Sequence, residues 1–395
     1  MAKSEQLSKV DDLYAQGKYQ EAAAECSRVL SGLPENSGER ALTLLKLGRL
    51  QDRLHNLDKA IEYLRTSVEI SKKVFGENNE KTAEAMSALA LSLAANGDTN
   101  EAEALVEEAT KLRCQACGVD SPEAADAYDD LGLVHLSCGH PKEAEKSLVK
   151  SMGIRRRKPG KMHKDYAISL RHTAILRQKE GKVSLSEPLL NESVEILQRQ
   201  LGKDHPEVGV SLDLLAEQQF ERKRPIEAEK NWRRVRDILA PALPEEHPAR
   251  ISVLNRLAAC ALILRGSEEA TQLYKQALEI CDRAYPEDTV FKLDSVLGLG
   301  LTYLRDYQFA EAEPHVKRGL RMIESLSSRE MRLENLLIDK LITIYIFQGK
   351  FGDALLLLPN SLRAKHTADF NDTMDSIYQI ANMIRKSIGK EPLKH

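Results

Sequence analysis

The stretch LGLVHLSCGHPKEAEKSLVKSM, Leu131 to Met152, decides the fold. Leu131, Gly132 and His135 precede a turn at Gly139, and Ala144, Leu148 and Met152 follow it. Apolar or small residues recur three and four apart on each side of that turn, the pattern of two amphipathic helices. Gly139 suits the end of the first helix, where a positive φ is wanted. Ala144 falls where the two helices cross, and its small side chain lets the backbones approach closely.

Ala144 belongs to a series. Ala22, Ala60, Ala102, Ala144, Ser186, Ala228, Ala270, Ala312 and Ala354 are separated by 38 residues once and by 42 thereafter. Gly76, Gly118, Gly160, Gly202, Pro244 and Pro286 form a second series with the same 42-residue step. Such a period predicts a solenoid, in which each unit buries its apolar face only against its neighbours. Gly17, Gly97, Gly181 and Gly349 align with Gly139. Asp120-Ser121-Pro122 and Asp204-His205-Pro206 read as helix starts, with a capping residue followed by proline in the first turn.

Within 395 residues, 57 Lys and Arg stand against 60 Asp and Glu, a net charge of -3 that gives no drive toward nucleic acid or anionic membrane. The repeats, from about residue 8 to 358, argue for one elongated body rather than several globular domains. No run approaches the ~18 apolar residues that span a bilayer. The N-terminal residues show no secretory pattern, and the six cysteines read as reduced thiols, so a cytoplasmic location is expected.

Leu-Gly, an aromatic or His, a turn Gly, then Glu-Ala and an apolar series resemble the tetratricopeptide repeat. The 42-residue length and Leu201-Gly202-Lys203-Asp204-His205-Pro206 are similar to the variant in kinesin light chains, though the motor-binding coiled coil of that family is not expected here. The resemblance implies an all-α, right-handed superhelical solenoid of about nine helix pairs. The expected domains are an atypical repeat at 1–36, repeats of the kinesin-light-chain type at 37–362, and a capping helix and tail at 363–395. Thr367 to Ile388 reads as the amphipathic capping helix.

In this family the first helix of each pair lines a concave groove, and the matching positions imply a partner-binding face. Its candidates are Arg49, Asp129, Leu133, Arg171, Asp213, Glu217, Asn255, Leu262, Leu297, Leu301, Leu304 and Asp339. Asp52, Leu91 and Ala94 occupy equivalent positions. Asn255 keeps the Asn that kinesin light chains commonly place three residues before the small residue, where its amide can bond a peptide backbone. Leu297, Leu301 and Leu304, beside Leu262, form an apolar stripe.

Other constellations carry less. Cys114 and Cys117, with Cys138 and His140, would sit at opposite helix ends, roughly 20 Å apart at 1.5 Å per residue, too far for one zinc. His163, His205 and His247 repeat at 42 residues and read as capping histidines. Arg155-Arg156-Arg157-Lys158 reads as a solvated basic run at a helix end. No catalytic motif or cofactor loop is found, so no enzyme activity, cofactor or metal is expected. The expected function is an adaptor or scaffold that holds a peptide segment of another protein, with no nucleic acid and no membrane insertion. The alternative is a peptide-responsive regulator, similar to bacterial peptide-pheromone receptors, whose superhelix changes shape on binding.

Overall fold

Each repeat folds as the two-helix unit that the spacing predicts. The computed structural model describes residues 2–285, 289–325 and 331–357, together with Lys386. The first four pairs are α1 (Ala2–Ala15) with α2 (Tyr19–Ser31), α3 (Gly38–Arg53) with α4 (Leu57–Phe75), α5 (Glu80–Asn96) with α6 (Thr99–Cys117), and α7 (Pro122–Ser137) with α8 (Pro141–Arg155). A short segment, Arg156–Gly160, follows α8 and is kinked at Lys158, whose backbone is extended. The remaining pairs are α9 (Lys164–Lys179) with α10 (Val183–Leu201), α11 (Pro206–Glu221) with α12 (Pro225–Ala242), α13 (Pro248–Leu264) with α14 (Ser267–Ala284), α15 (Val290–Arg305) with α16 (Phe309–Ser325), and α17 (Met331–Gln348) with α18 (Phe351–Leu357). These consecutive packed pairs make nine among the described residues, with no strand. The expected capping helix from Thr367 lies outside the described residues, as does the 363–395 segment apart from Lys386.

The small-residue series marks the helix crossings. Ala22, Ala60, Ala102, Ala144, Ser186, Ala228, Ala270 and Ala312 are fully buried, and Ala354 nearly so. Close approach is just as strict on the partner helix: a Cβ on Gly132 would lie 2.6 Å from Leu148 Cγ. The turn inside each pair needs a left-handed residue. Gly17, Gly97, Gly139, Gly181 and Gly349 supply it, and His55, Lys223 and Tyr307 take φ of 60, 60 and 57° where glycine is missing.

The helix starts also follow the sequence. Ser121 Oγ accepts from the Ala124 amide, and the Nδ1 atoms of His163, His205 and His247 accept from the amides of Asp165, Glu207 and Ala249. The repeating histidines are therefore N-caps. The chain divides into two compact units, Met1–Arg250 and Ile251–His395. The 42-residue period runs unbroken from Ala228 to Ala270 and does not signal that division. In the second unit, Ala258, Tyr274, Leu293, Leu297, Val316 and Ile344 belong to one apolar core.

Candidate peptide-binding site

Three of the expected groove residues hold neighbouring repeats together instead. Asp129, Arg171 and Asn255 are 3, 5 and 6% exposed. Each meets a buried serine forty residues on: Ser169 donates to Asp129 (3.5 Å), Arg171 to Ser211 (3.5 Å), and Ser295 to Asn255 Oδ1 (2.9 Å). Asn255 Nδ2 also donates to the Phe291 carbonyl at 3.1 Å. This revises the expectation that these three offer free polar atoms to a partner. The signal was present in the serines at 169, 211 and 295, whose spacing by 42 or its double marks a polar ladder through the repeat interfaces. Asp129 gains a further role. Burial pushes its carboxyl up, but His172 (3.0 Å) and Arg155 (2.6 Å) outweigh that and hold it down to about 2.

Arg155 likewise leaves the basic run to which the sequence assigns it. It is 6% exposed and donates to Asp126, Asp129, Ser169 and the Asp165 carbonyl, while Arg156 and Arg157 remain exposed.

In the second unit, Leu297 is buried in the core, and Leu262 and Leu304 are half-buried against it. Leu301 is half-buried and Asp339 exposed. The leucine stripe is thus shared between core and surface, and Leu301 and the neighbouring candidate Asp339 are the accessible positions.

In the first unit the expected positions frame cavities. Arg49, Asp52 and Leu91, with Tyr14, Arg53, His55, Leu57 and Ala95, line a cavity of about 420 Å³. A second, of about 310 Å³, adds Asp213 and an apolar wall of Val210, Val235, Leu239 and Leu243 to Asp52, Arg53 and His55. Leu133 and Glu217 are half-buried and line neither.

The second cavity exists because the first two pairs meet the sixth pair and the start of the seventh. His205 and His247 cap through Nδ1, so their protons sit on Nε2, from which they donate to the carbonyls of Ala15 (3.0 Å) and Arg53 (3.1 Å). Glu207 bridges Arg53 (2.8 Å) and Arg171 (2.7 Å). Burial raises the Glu207 pKa, but Arg171 and Arg53 outweigh it and keep the group ionised. Sequence reasoning could not see this closure, because it joins residues 190 apart.

The polar floor of the cavities is incomplete. Asp52 Oδ2 accepts from Ser92 at 2.7 Å, yet its buried Oδ1 has no hydrogen-bond partner among the described residues. Burial pushes this carboxyl up to about 6, against the pull of the Ser92 bond and of Arg53. A buried acceptor without a donor costs ~1–3 kcal/mol, which an arriving N–H would offset. Among the described residues no helix is long and apolar enough to cross a membrane.

Comparison with known proteins agrees with this architecture. Family models described as tetratricopeptide repeat match residues 39–115 and 212–283, and a second such model matches 87–151. A comparison with curated proteins finds no match. Among solved structures, the apo form of the quorum sensor NprR from B. thuringiensis is 14% identical, covering 87% of this chain and 94% of its own, with a TM-score of 0.54. The STAND protein PH0952 from Pyrococcus horikoshii, which has a tetratricopeptide repeat sensor, is 14% identical over 86% of this chain and 49% of its own, with a TM-score of 0.54. A putative kinesin light chain of Podosopora anserina with nearly identical TPR-like repeats is 23% identical over 53% of this chain and 99% of its own, with a TM-score of 0.43. The repeat spacing, the paired helices and the family models agree that the chain carries tetratricopeptide repeats, matched over residues 39–151 and 212–283.

Proposed function

We propose that this protein is a cytoplasmic adaptor that holds a peptide segment of a partner in the cavities of its first unit. Tetratricopeptide repeats mediate protein–protein interaction and are typically non-enzymatic scaffolds. The observation that carries the proposal is the unpartnered Asp52 Oδ1 on a wall shared by both cavities. A peptide N–H would donate to it, while an apolar side chain packs against Leu239, Leu243 and Val210. The preformed walls leave most of the ordering cost with the peptide.

Peptides selected by display against the full chain test this reading. Asp52→Ala should weaken the selected binders by about one decade, the equivalent of ~1.4 kcal/mol, and Leu301→Ala should leave them unchanged. If Leu301→Ala or Asp339→Ala removed binding while Asp52→Ala did not, the site would belong to the second unit.

The closure by His205 and His247 favours a second reading, the peptide-responsive regulator. A ligand in the 310 Å³ cavity would press on those contacts. Solution scattering with and without a selected peptide separates the two: an adaptor keeps its shape, a regulator does not.

A further inference from the structure

Away from these cavities, α6, α7 and the start of α8 bring together two carboxylates and two imidazoles. Glu103 and Glu107 lie one turn apart on α6, facing His135 near the end of α7. His135 Nε2 is 3.6 Å from Glu103 Oε1 and 3.7 Å from Glu107 Oε1. His140, the residue before α8, places Nδ1 2.7 Å from the same Glu103 oxygen, and the two imidazole rings lie 6.3 Å apart, edge to face.

His140 hydrogen-bonds Glu103, but the spacings around His135 suit a metal better than hydrogen bonds. N–H···O bonds close to ~2.7–3.2 Å, so the His135 contacts are too long. Donors around a tetrahedral zinc, each ~2.0–2.2 Å from the ion, stand roughly 3.4 Å from one another. One ligand atom each from Glu103, Glu107 and His135 falls within 4.8 Å of the others.

His135 is the second, independent observation. It is 7% exposed, aims Nε2 at the carboxylates, and its buried Nδ1 has no hydrogen-bond partner among the described residues. Its Nε2 stands between the two carboxylates at more than hydrogen-bonding distance, where a cation would join all three. Among the described residues no lysine or arginine pairs with Glu103 or Glu107, whose polar contacts are with the imidazoles of His135 and His140.

We propose that Glu103, Glu107 and His135 bind a divalent transition cation of the zinc class, with His140 orienting Glu103 through its hydrogen bond, stapling the third helix pair to the fourth. Imidazole and carboxylate donors match that class. The sequence expectation of no metal weighed a cysteine set, the row of histidines at 163, 205 and 247 and short metal motifs, but not this grouping. Cys138 Sγ points to the Thr99 carbonyl at the start of α6, whereas Cys114 lies near that helix's end, so those thiols share no site.

The test is equilibrium dialysis of the full chain, stripped with chelator, against zinc chloride, alongside thermal melts. About one zinc per chain and a raised melting temperature are expected. Glu103→Gln and His140→Ala, partly exposed positions that spare the core, should each weaken zinc binding by about 10–100-fold. Cys114→Ser with Cys117→Ser should not change it. No binding, or binding that survives both site variants, would overturn the proposal, as would loss of zinc in the cysteine double variant. Circular dichroism of each apo variant establishes that the fold is kept.

Discussion

At the scale of single residues, the solenoid is most exacting where helices cross and where they turn. Ala270 has no exposed surface, so Ala270→Leu must push helices apart. Overpacking of this kind costs about 1–3 kcal/mol; chemical denaturation should show it, and an unchanged midpoint would mean that position is no crossing. The turns run the other way. Lys223 and Tyr307 hold φ of 60 and 57° where sister repeats use glycine. An L-residue in the left-handed region is strained by roughly 1–2 kcal/mol, offset in part by glycine's greater unfolded-state entropy. Lys223→Gly should therefore raise stability by about 0.5–1 kcal/mol. Tyr307→Gly should gain less, because it also loses the ring contact with Phe309 at 6.3 Å.

At the scale of elements, the interfaces between pairs are polar at their centres. Arg155, at the end of α8, ties that helix to α7 through Asp126 and Asp129 and to α9 through Ser169. Removing one partner of a buried pair leaves an uncompensated charge and costs about 3–5 kcal/mol. Arg155→Ala should show a loss of that order in urea unfolding, while Arg156→Ala should stay within about 0.5 kcal/mol. Equal effects from the two would deny the buried role of Arg155. Asp129, held down to about 2 from 3.8, adds stability that is full above its unfolded value and fades as pH falls toward 2.

At the scale of the whole molecule, pH acts on the closure of the first unit. His247 is lowered from 6.5 to about 4, chiefly by burial and then by His55, with the bond to the Arg53 carbonyl, Arg250 and Glu246 as smaller influences. A histidine with a depressed folded value binds fewer protons folded than unfolded. Its contribution is complete above 6.5 and is lost as pH falls through that value toward 4. Asp52 and Asp130, raised to about 6 and about 7 by burial, work in the opposite sense across the same range. The comparison with His247→Asn isolates the histidine, since Asn can still cap α13. Between pH 7 and pH 5 the wild type should lose about 1–2 kcal/mol more than this variant. Parallel pH profiles would show that His247 does not govern the closure.

The local units were legible in the sequence because their causes are local. A helix pair needs a small residue at its crossing, a left-handed residue at its turn and a cap at its start. Ala144, Gly139 and Ser121 announce these needs at fixed spacing. The candidate site was legible in part: Arg49, Asp52 and Leu91 do line a cavity. Asp129, Arg171 and Asn255 were misread because one sequence position can face either a groove or the next repeat. Only the partners forty residues on decide between the two. The meeting of His205 with Ala15 and of His247 with Arg53 belongs to the tertiary structure alone. Small rotations add up over successive pairs, and no residue records the sum. The same holds for Glu103, Glu107 and His135, which two helices must be packed to bring together.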